Sequence, residues 1–157
     1  MKNEYLNIYN NLIKLTRNKL LFEKITSEDS FSHRLMVFLF HFAFFLKVYK
    51  KNNTKKYLQK IYDFNFKQIE LSIREIGYGD SSINKKMKEY INLFHSIVKN
   101  IEKWETFDNS LKKQFIGNYL NLDENIDYFV NYFNKFRLFL KNNTLNYFTK
   151  DVINPKI

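Results

Sequence analysis

The segment from Leu35 to Leu46 places the tightest limit on the fold. Eleven of its twelve residues are apolar, and only His41 interrupts them. The run falls short of the about 20 residues a bilayer-spanning helix needs, and Arg34 and Lys47 close it at either end. A helix over residues 31–50 that is apolar on every side must be wrapped by neighbours to remain in water. The segment therefore predicts a central helix and requires amphipathic helices to cover it.

The rest of the chain supplies them. Three glycines and one proline in 157 residues leave few corners for hairpins or sheets. Leu6, Tyr9, Leu12, Ile13 and Thr16 recur at helical spacing over residues 4–17, and residues 18–30 read as a polar connector interrupted by Leu20, Leu21 and Phe22. Asn52-Asn53-Thr54 divides the central helix from a third, on which Leu58, Ile61, Tyr62, Asn65, Ile69, Ile73 and Ile76 share a face. The fourth repeats Ile83, Met87, Tyr90, Ile91, Phe94, Ile97, Val98 and Ile101 at intervals of three and four. A shorter helix spans 109–119. Asn121-Leu122-Asp123-Glu124 has the form of a capping box before a last helix carrying Ile126, Phe129, Val130, Phe133, Phe136, Arg137 and Leu140. The expectation is an all-α, single-domain irregular bundle of about six helices over residues 1–157, with 150–157 a frayed tail.

Composition narrows the function. Apolar residues at 45% and aromatics at 18% suffice for a core. The absence of cysteine excludes disulfides, thiol nucleophiles and thiolate zinc sites. The start Met1-Lys2-Asn3-Glu4-Tyr5 lacks the apolar stretch of a secretory signal, so an unexported protein is expected. A formal charge of +10 points to an anionic partner: a lipid surface, ribosomal RNA or an acidic protein. Four arginines among abundant Asn, Lys, Ile, Tyr and Phe resemble AT-rich coding, which accounts for part of that charge.

Catalytic and metal constellations are not found in the sequence. Asp63 and Glu70 lie two turns apart, too far for a coupled pair, and no Glu-x-x-His ligand set occurs. His33 and His95 have no ligand spacing with His41, which reads first as a satisfied core histidine and second as a pocket or contact residue. No enzyme, metal or cofactor is assigned. Lys47, Lys50, Lys51, Lys55, Lys56 and Lys60 put six cations and no acid into fourteen residues. Lys85, Lys86 and Lys88 open the fourth helix, where cations oppose its dipole. These nine lysines form either a solvated face or an electrostatic patch for lipid or RNA. Tyr128, Tyr132 and Phe139 widen the apolar stripe of the last helix, to cover a broad core or to line a groove for an apolar helix. Trp104 reads as a packing anchor.

The most sharply specified corner is Ser72-Ile73-Arg74-Glu75-Ile76-Gly77-Tyr78-Gly79-Asp80. Gly77 suits the left-handed turn that closes a helix, Gly79 permits a second tight step, and Asp80 or a following serine can cap the next helix. Arg74 either braces the turn through Asp80 or another carboxylate, or points outward to a partner. No Gly-Lys-Ser or Gly-Lys-Thr follows, so the glycines do not make a phosphate loop.

Ile73 to Ile83, with Lys85, Lys86, Met87 and Lys88 after it, resembles the hallmark of the ubiquinol-cytochrome c chaperone family, a helix ending Leu-Arg-Glu-Met-Gly-Val-Gly-Asp before a serine and a basic helix start. Tyr9-Asn10 with Arg17, Arg34 with Phe40-His41, and Tyr62-Asp63 resemble further family positions, so that the similarity covers about residues 5–104. It departs at His33-Arg34-Leu35-Met36, at Gln68, and at Ile97, where the family has an arginine. The resemblance implies a helical, non-enzymatic assembly factor that holds newly made cytochrome b until haem insertion and assembly of the cytochrome bc complex proceed. It also implies a cytoplasmic location peripheral to the inner membrane, with the ribosome, an anionic membrane surface or a second assembly factor as further partners. By the same resemblance Arg34, His41, Asp63, Arg74, Glu75, Gly77, Gly79 and Asp80 become the client-binding or corner-bracing residues. The competing readings are a basic RNA-binding or ribosome-associated module and a peripheral module on anionic membranes.

Overall fold

The computed structural model describes residues 2–25 and 31–157. Among them run seven α-helices: α1 Lys2–Thr16, α2 Lys19–Ile25, α3 Phe31–Tyr49, α4 Lys55–Glu75, α5 Asp80–Ile101, α6 Asn109–Leu120 and α7 Ile126–Asn142. Short 3-10 turns cover Trp104–Thr106 and Leu145–Thr149, and no strand occurs among the described residues.

The centre is α3. It packs against α1, α5, α6 and α7, while α4 lies across α1 and α5. Eleven α3 residues are buried, from Leu35 and Val37 to Phe45 and Tyr49. Helical backbone continues beyond the apolar run through Phe31–Arg34 and Lys47–Tyr49. The 19-residue helix that results is long and apolar enough, by length and composition, to cross a membrane, unlike the twelve-residue apolar run alone. Its burial beneath four other helices accounts for that apolarity without lipid. Aromatic rings knit the layers together. Phe44 stacks on Phe133 with centroids 5.5 Å apart, Phe42 stacks on Phe94 at 5.3 Å, and Trp104 meets Phe44 edge-on at 5.2 Å. Each fully buried aromatic contributes roughly 1.5–3 kcal/mol of transfer free energy.

Helix ends follow local chemistry. Thr54 accepts a hydrogen bond from the Tyr57 N–H at 3.1 Å and caps α4, and Asp108 caps α6 by accepting from the Leu111 N–H at 2.8 Å. The expected capping box at Asn121 is not formed. Asn121 instead closes α6 in the left-handed conformation (φ 54°), and Asn125, also left-handed (φ 61°), precedes α7 without a side-chain cap. Asparagine tolerates this backbone region, so a residue that reads as a helix start serves as a stop.

Two other segments differ from the sequence reading. The polar connector contains α2, because Leu21 and Ile25, one turn apart, both enter the core. The expected frayed tail is docked as far as Ile153. Asn11 donates to the carbonyls of Phe148 and Lys150, both at 2.9 Å, Lys14 donates to the Ile153 carbonyl at 2.6 Å, and Ile153 is buried. The donors are polar residues on α1, which composition near the C-terminus does not reveal.

Candidate functional site

The corner between α4 and α5 turns on one glycine. Gly77 has φ +100°, a left-handed conformation that costs a side-chain-bearing residue about 1–2 kcal/mol. Its N–H donates to the Arg74 carbonyl at 3.0 Å and closes the helix end. Gly79 departs from expectation: its φ of −76° and ψ of 165° are ordinary extended backbone, open to any residue. Nor does Asp80 cap α5. Gly79 occupies the N-cap position, and Asp80, the first helical residue, accepts a hydrogen bond from Arg74 Nη1 at 2.7 Å. The hydrogen bond and the Asp80 charge raise the Arg74 pKa further above its ordinary value. Of the two readings of Arg74, the structure contains the brace, made through one guanidinium nitrogen and an exposed pair.

Residues distant in sequence converge on a cleft beside this corner. Tyr9, Thr16 and Arg17 of the N-terminal segment, Arg34 of α3, and Ser72 and Glu75 of α4 line a cavity of about 210 Å³ with an apolar wall that includes Phe38 and Ile76. Burial raises the pKa of the Tyr9 phenol; its hydrogen bond with Ser72 and the Arg17 charge oppose the rise, while the Glu75 charge adds to it. The cleft thus brings together both signs of charge and a phenol at the point where α1, α3 and α4 meet. Exposed apolar side chains adjoin it: Ile76 is 52% and Tyr78 42% accessible, and Lys86 sits over the Tyr78 ring at 6.0 Å. Helical spacing assigns Ile76 to the buried stripe of α4, whereas the helix ends there and leaves it exposed at the corner.

His41 and Asp63 do not belong to the corner. His41 is wholly buried; its Nδ1–H donates to the Val37 carbonyl at 2.8 Å, and Nε2 accepts from the Tyr132 hydroxyl at 2.7 Å. A carbonyl only accepts, so the neutral tautomer carries its proton on Nδ1. Desolvation lowers its pKa to about 4, against the upward effect of the Val37 bond. The residue ties α3 to α7 and has no surface for a client. Tyr132 is buried with it, so of the two readings for the widened α7 stripe, core packing holds at this residue. Asp63 is exposed, accepts from Gln59 at 2.9 Å, and lies about 18 Å from Glu75 along α4.

The nine lysines are not one patch. Lys47 turns inward to the Ile101 carbonyl and the Glu105 carboxylate, and Lys50 pairs with Glu102 at 2.6 Å. Glu105 also accepts from Arg137. Burial would raise the Glu105 pKa, but the hydrogen bonds from Lys47 and Arg137 outweigh it and hold the carboxyl at about 2. Lys51, Lys55, Lys56 and Lys60 are exposed at the junction of α3 and α4. Lys85 and Lys88 are exposed near the start of α5, and Lys86 lies 3.8 Å from Glu89. The two groups sit near opposite ends of α5, with Lys85 and Glu102 about 25 Å apart along it. The sequence places six cations in one run but is silent on Glu102 and Glu105, which arrive from more than fifty residues away.

Among the described residues, no group of three or more His, Asp or Glu side chains could hold a metal ion. A family model described as ubiquinol-cytochrome C chaperone matches residues 23–113, more than half of the 157-residue chain. No curated protein and no solved structure matches it.

Proposed function

The chain belongs to the ubiquinol-cytochrome C chaperone family, and on that premise we propose that it binds newly made cytochrome b as a non-enzymatic chaperone during assembly of the ubiquinol-cytochrome c reductase complex. The observation that carries the reading is the family match itself, whose span takes in α3, α4, α5 and the corner between them. The corner has features suited to such a task. Ile76 and Tyr78 present apolar surface on a turn braced by Arg74 and Asp80, beside a cleft of mixed charge. An unassembled membrane segment is apolar and needs a rigid apolar contact that binds it without chemistry. In this reading the protein works in the cytoplasm at the face of the inner membrane, where such a client emerges, and a ribosome or second assembly factor would be met there.

The test is affinity capture of the tagged protein from its own cells in mild detergent, with associated proteins identified by mass spectrometry. Stoichiometric cytochrome b, reduced by the pair Ile76→Ser and Tyr78→Ser in a protein that still folds, is the expected result. Reproducible recovery of RNA or another protein in its place would overturn the reading. Capture of cytochrome b unaffected by the pair would move the client contact away from the corner.

A further inference from the structure

A second concavity lies away from the corner, between the C-terminal end of α3 and the helices α4 and α5. It encloses about 860 Å³, within the roughly 300–1,000 Å³ of small-ligand sites. Its apolar lining comes from Leu58 and Tyr62 on α4 and from Phe94 and Val98 on α5. Four lysines and a single carboxylate, Glu102, also line it. Their arrangement is one-sided. Lys50 pairs with Glu102, and Lys47 with Glu105, a carboxylate it shares with Arg137, while Lys51 and Lys55 are exposed where α3 gives way to α4. From Lys55 the apolar lining runs about 10 Å along α4 to Tyr62, whose hydroxyl hydrogen-bonds His95 Nε2 across the groove at 3.1 Å.

A cationic end followed by an apolar trough is complementary to a head and a tail. We propose that this groove binds an anionic phospholipid, its phosphate at Lys51 and Lys55 and one acyl chain laid along Leu58, Tyr62 and Val98. An acidic amphipathic helix fits less well, because it would need cations distributed along the groove, whereas Lys56 and Lys60 do not line it. The inference does not depend on the identity of any protein client. It gives the chain a point of attachment to an anionic membrane through which one lipid, rather than a diffuse surface, is held.

The test uses the full chain with phosphatidylcholine vesicles, with and without phosphatidylglycerol, in a flotation assay. Single-chain lysophosphatidylglycerol, lysophosphatidylcholine and glycerol 3-phosphate serve as competitors. Binding is expected only to vesicles containing the anionic lipid, and lysophosphatidylglycerol alone should compete. Lys51→Ala with Lys55→Ala should weaken it roughly thirtyfold, since each basic residue at an anionic surface contributes about fivefold. Lys85→Ala with Lys88→Ala, the same charge change at the other end of α5, should leave it unchanged. Val98→Asp should abolish competition by the single-chain lipid. Should that variant fail to fold, Gln59→Trp, partly filling the groove from its exposed rim, takes its place. Equal losses in the two lysine pairs would show net charge alone at work and overturn the proposal. Equal competition by glycerol 3-phosphate would reduce the site to a phosphate contact. An acidic helical peptide that binds where lysophosphatidylglycerol does not would give the groove to a protein.

Discussion

The Tyr132 hydroxyl donates to Nε2 of His41 across 2.7 Å, joining α7 to α3 at the single polar side chain of the central apolar run. Both partners are buried, so the bond is defined by what would be left behind if either were removed. Tyr132→Phe strands an imidazole nitrogen away from water and should cost about 1–3 kcal/mol in urea unfolding. Replacing both residues, as His41→Phe with Tyr132→Phe, should cost less than the two single substitutions combined, because no polar atom is then orphaned. An additive double variant would show that the bond contributes nothing specific.

The same histidine makes stability depend on pH. Its folded pKa is about 4, below the ordinary 6.5, so between these values the unfolded chain takes up a proton that the folded chain refuses. Stability is therefore fully present above pH 6.5 and declines as pH falls toward 4, by up to about 3 kcal/mol. Glu105 acts lower. Its folded pKa of about 2 lies below the ordinary 4.5, so its contribution is present above 4.5 and is lost as pH falls through 2. Because its side chain is 40% exposed, that contribution is smaller than the shift implies. Urea midpoints followed across the upper range should slope downward with acid in the native chain and be flat in the His41→Phe, Tyr132→Phe variant.

The two corner glycines should respond differently to alanine. Gly77→Ala forces a side chain into a left-handed conformation and should destabilise by about 1–2 kcal/mol, although no atom stands within 4 Å of the added methyl. Gly79→Ala has the same open space and an ordinary φ, but alanine serves poorly at the N-cap, which offsets the entropy it removes from the unfolded chain, so it should cost less than Gly77→Ala, about 0.5 kcal/mol or less. Equal effects at the two positions would mean that something other than backbone conformation sets the corner.

The docked C-terminal segment should contribute measurably to stability. Ile153→Ala removes a buried side chain packed near the end of the chain and should cost about 2 kcal/mol. Asn11→Ala, which unties two backbone carbonyls, should leave amide hydrogens of residues 145–153 faster to exchange than in the native chain. Unchanged melting and exchange in both variants would restore the frayed tail.

Helix identity and the corner were legible in the sequence because both are local properties. An apolar run broken only by His41, the three- and four-residue spacing of Ile83 through Ile101, Thr54 ahead of α4, and Gly77 after Arg74 and Glu75 each depend on residues within a turn or two. The resemblance at residues 73–83 is local in the same sense, and the family match includes it. Tertiary structure alone decided which lysines are paired, since Lys47 and Lys50 meet carboxylates beyond the end of α5, whose position depends on how α5 crosses α3. It also decided that Tyr9, Arg17, Arg34 and Glu75 share one cleft, that Asn121 stops a helix and starts none, and that Ile153 is buried. Spacing along a chain determines which face of a helix is apolar; which charges and hydrogen-bonding groups meet depends on the angles and offsets at which whole helices pack.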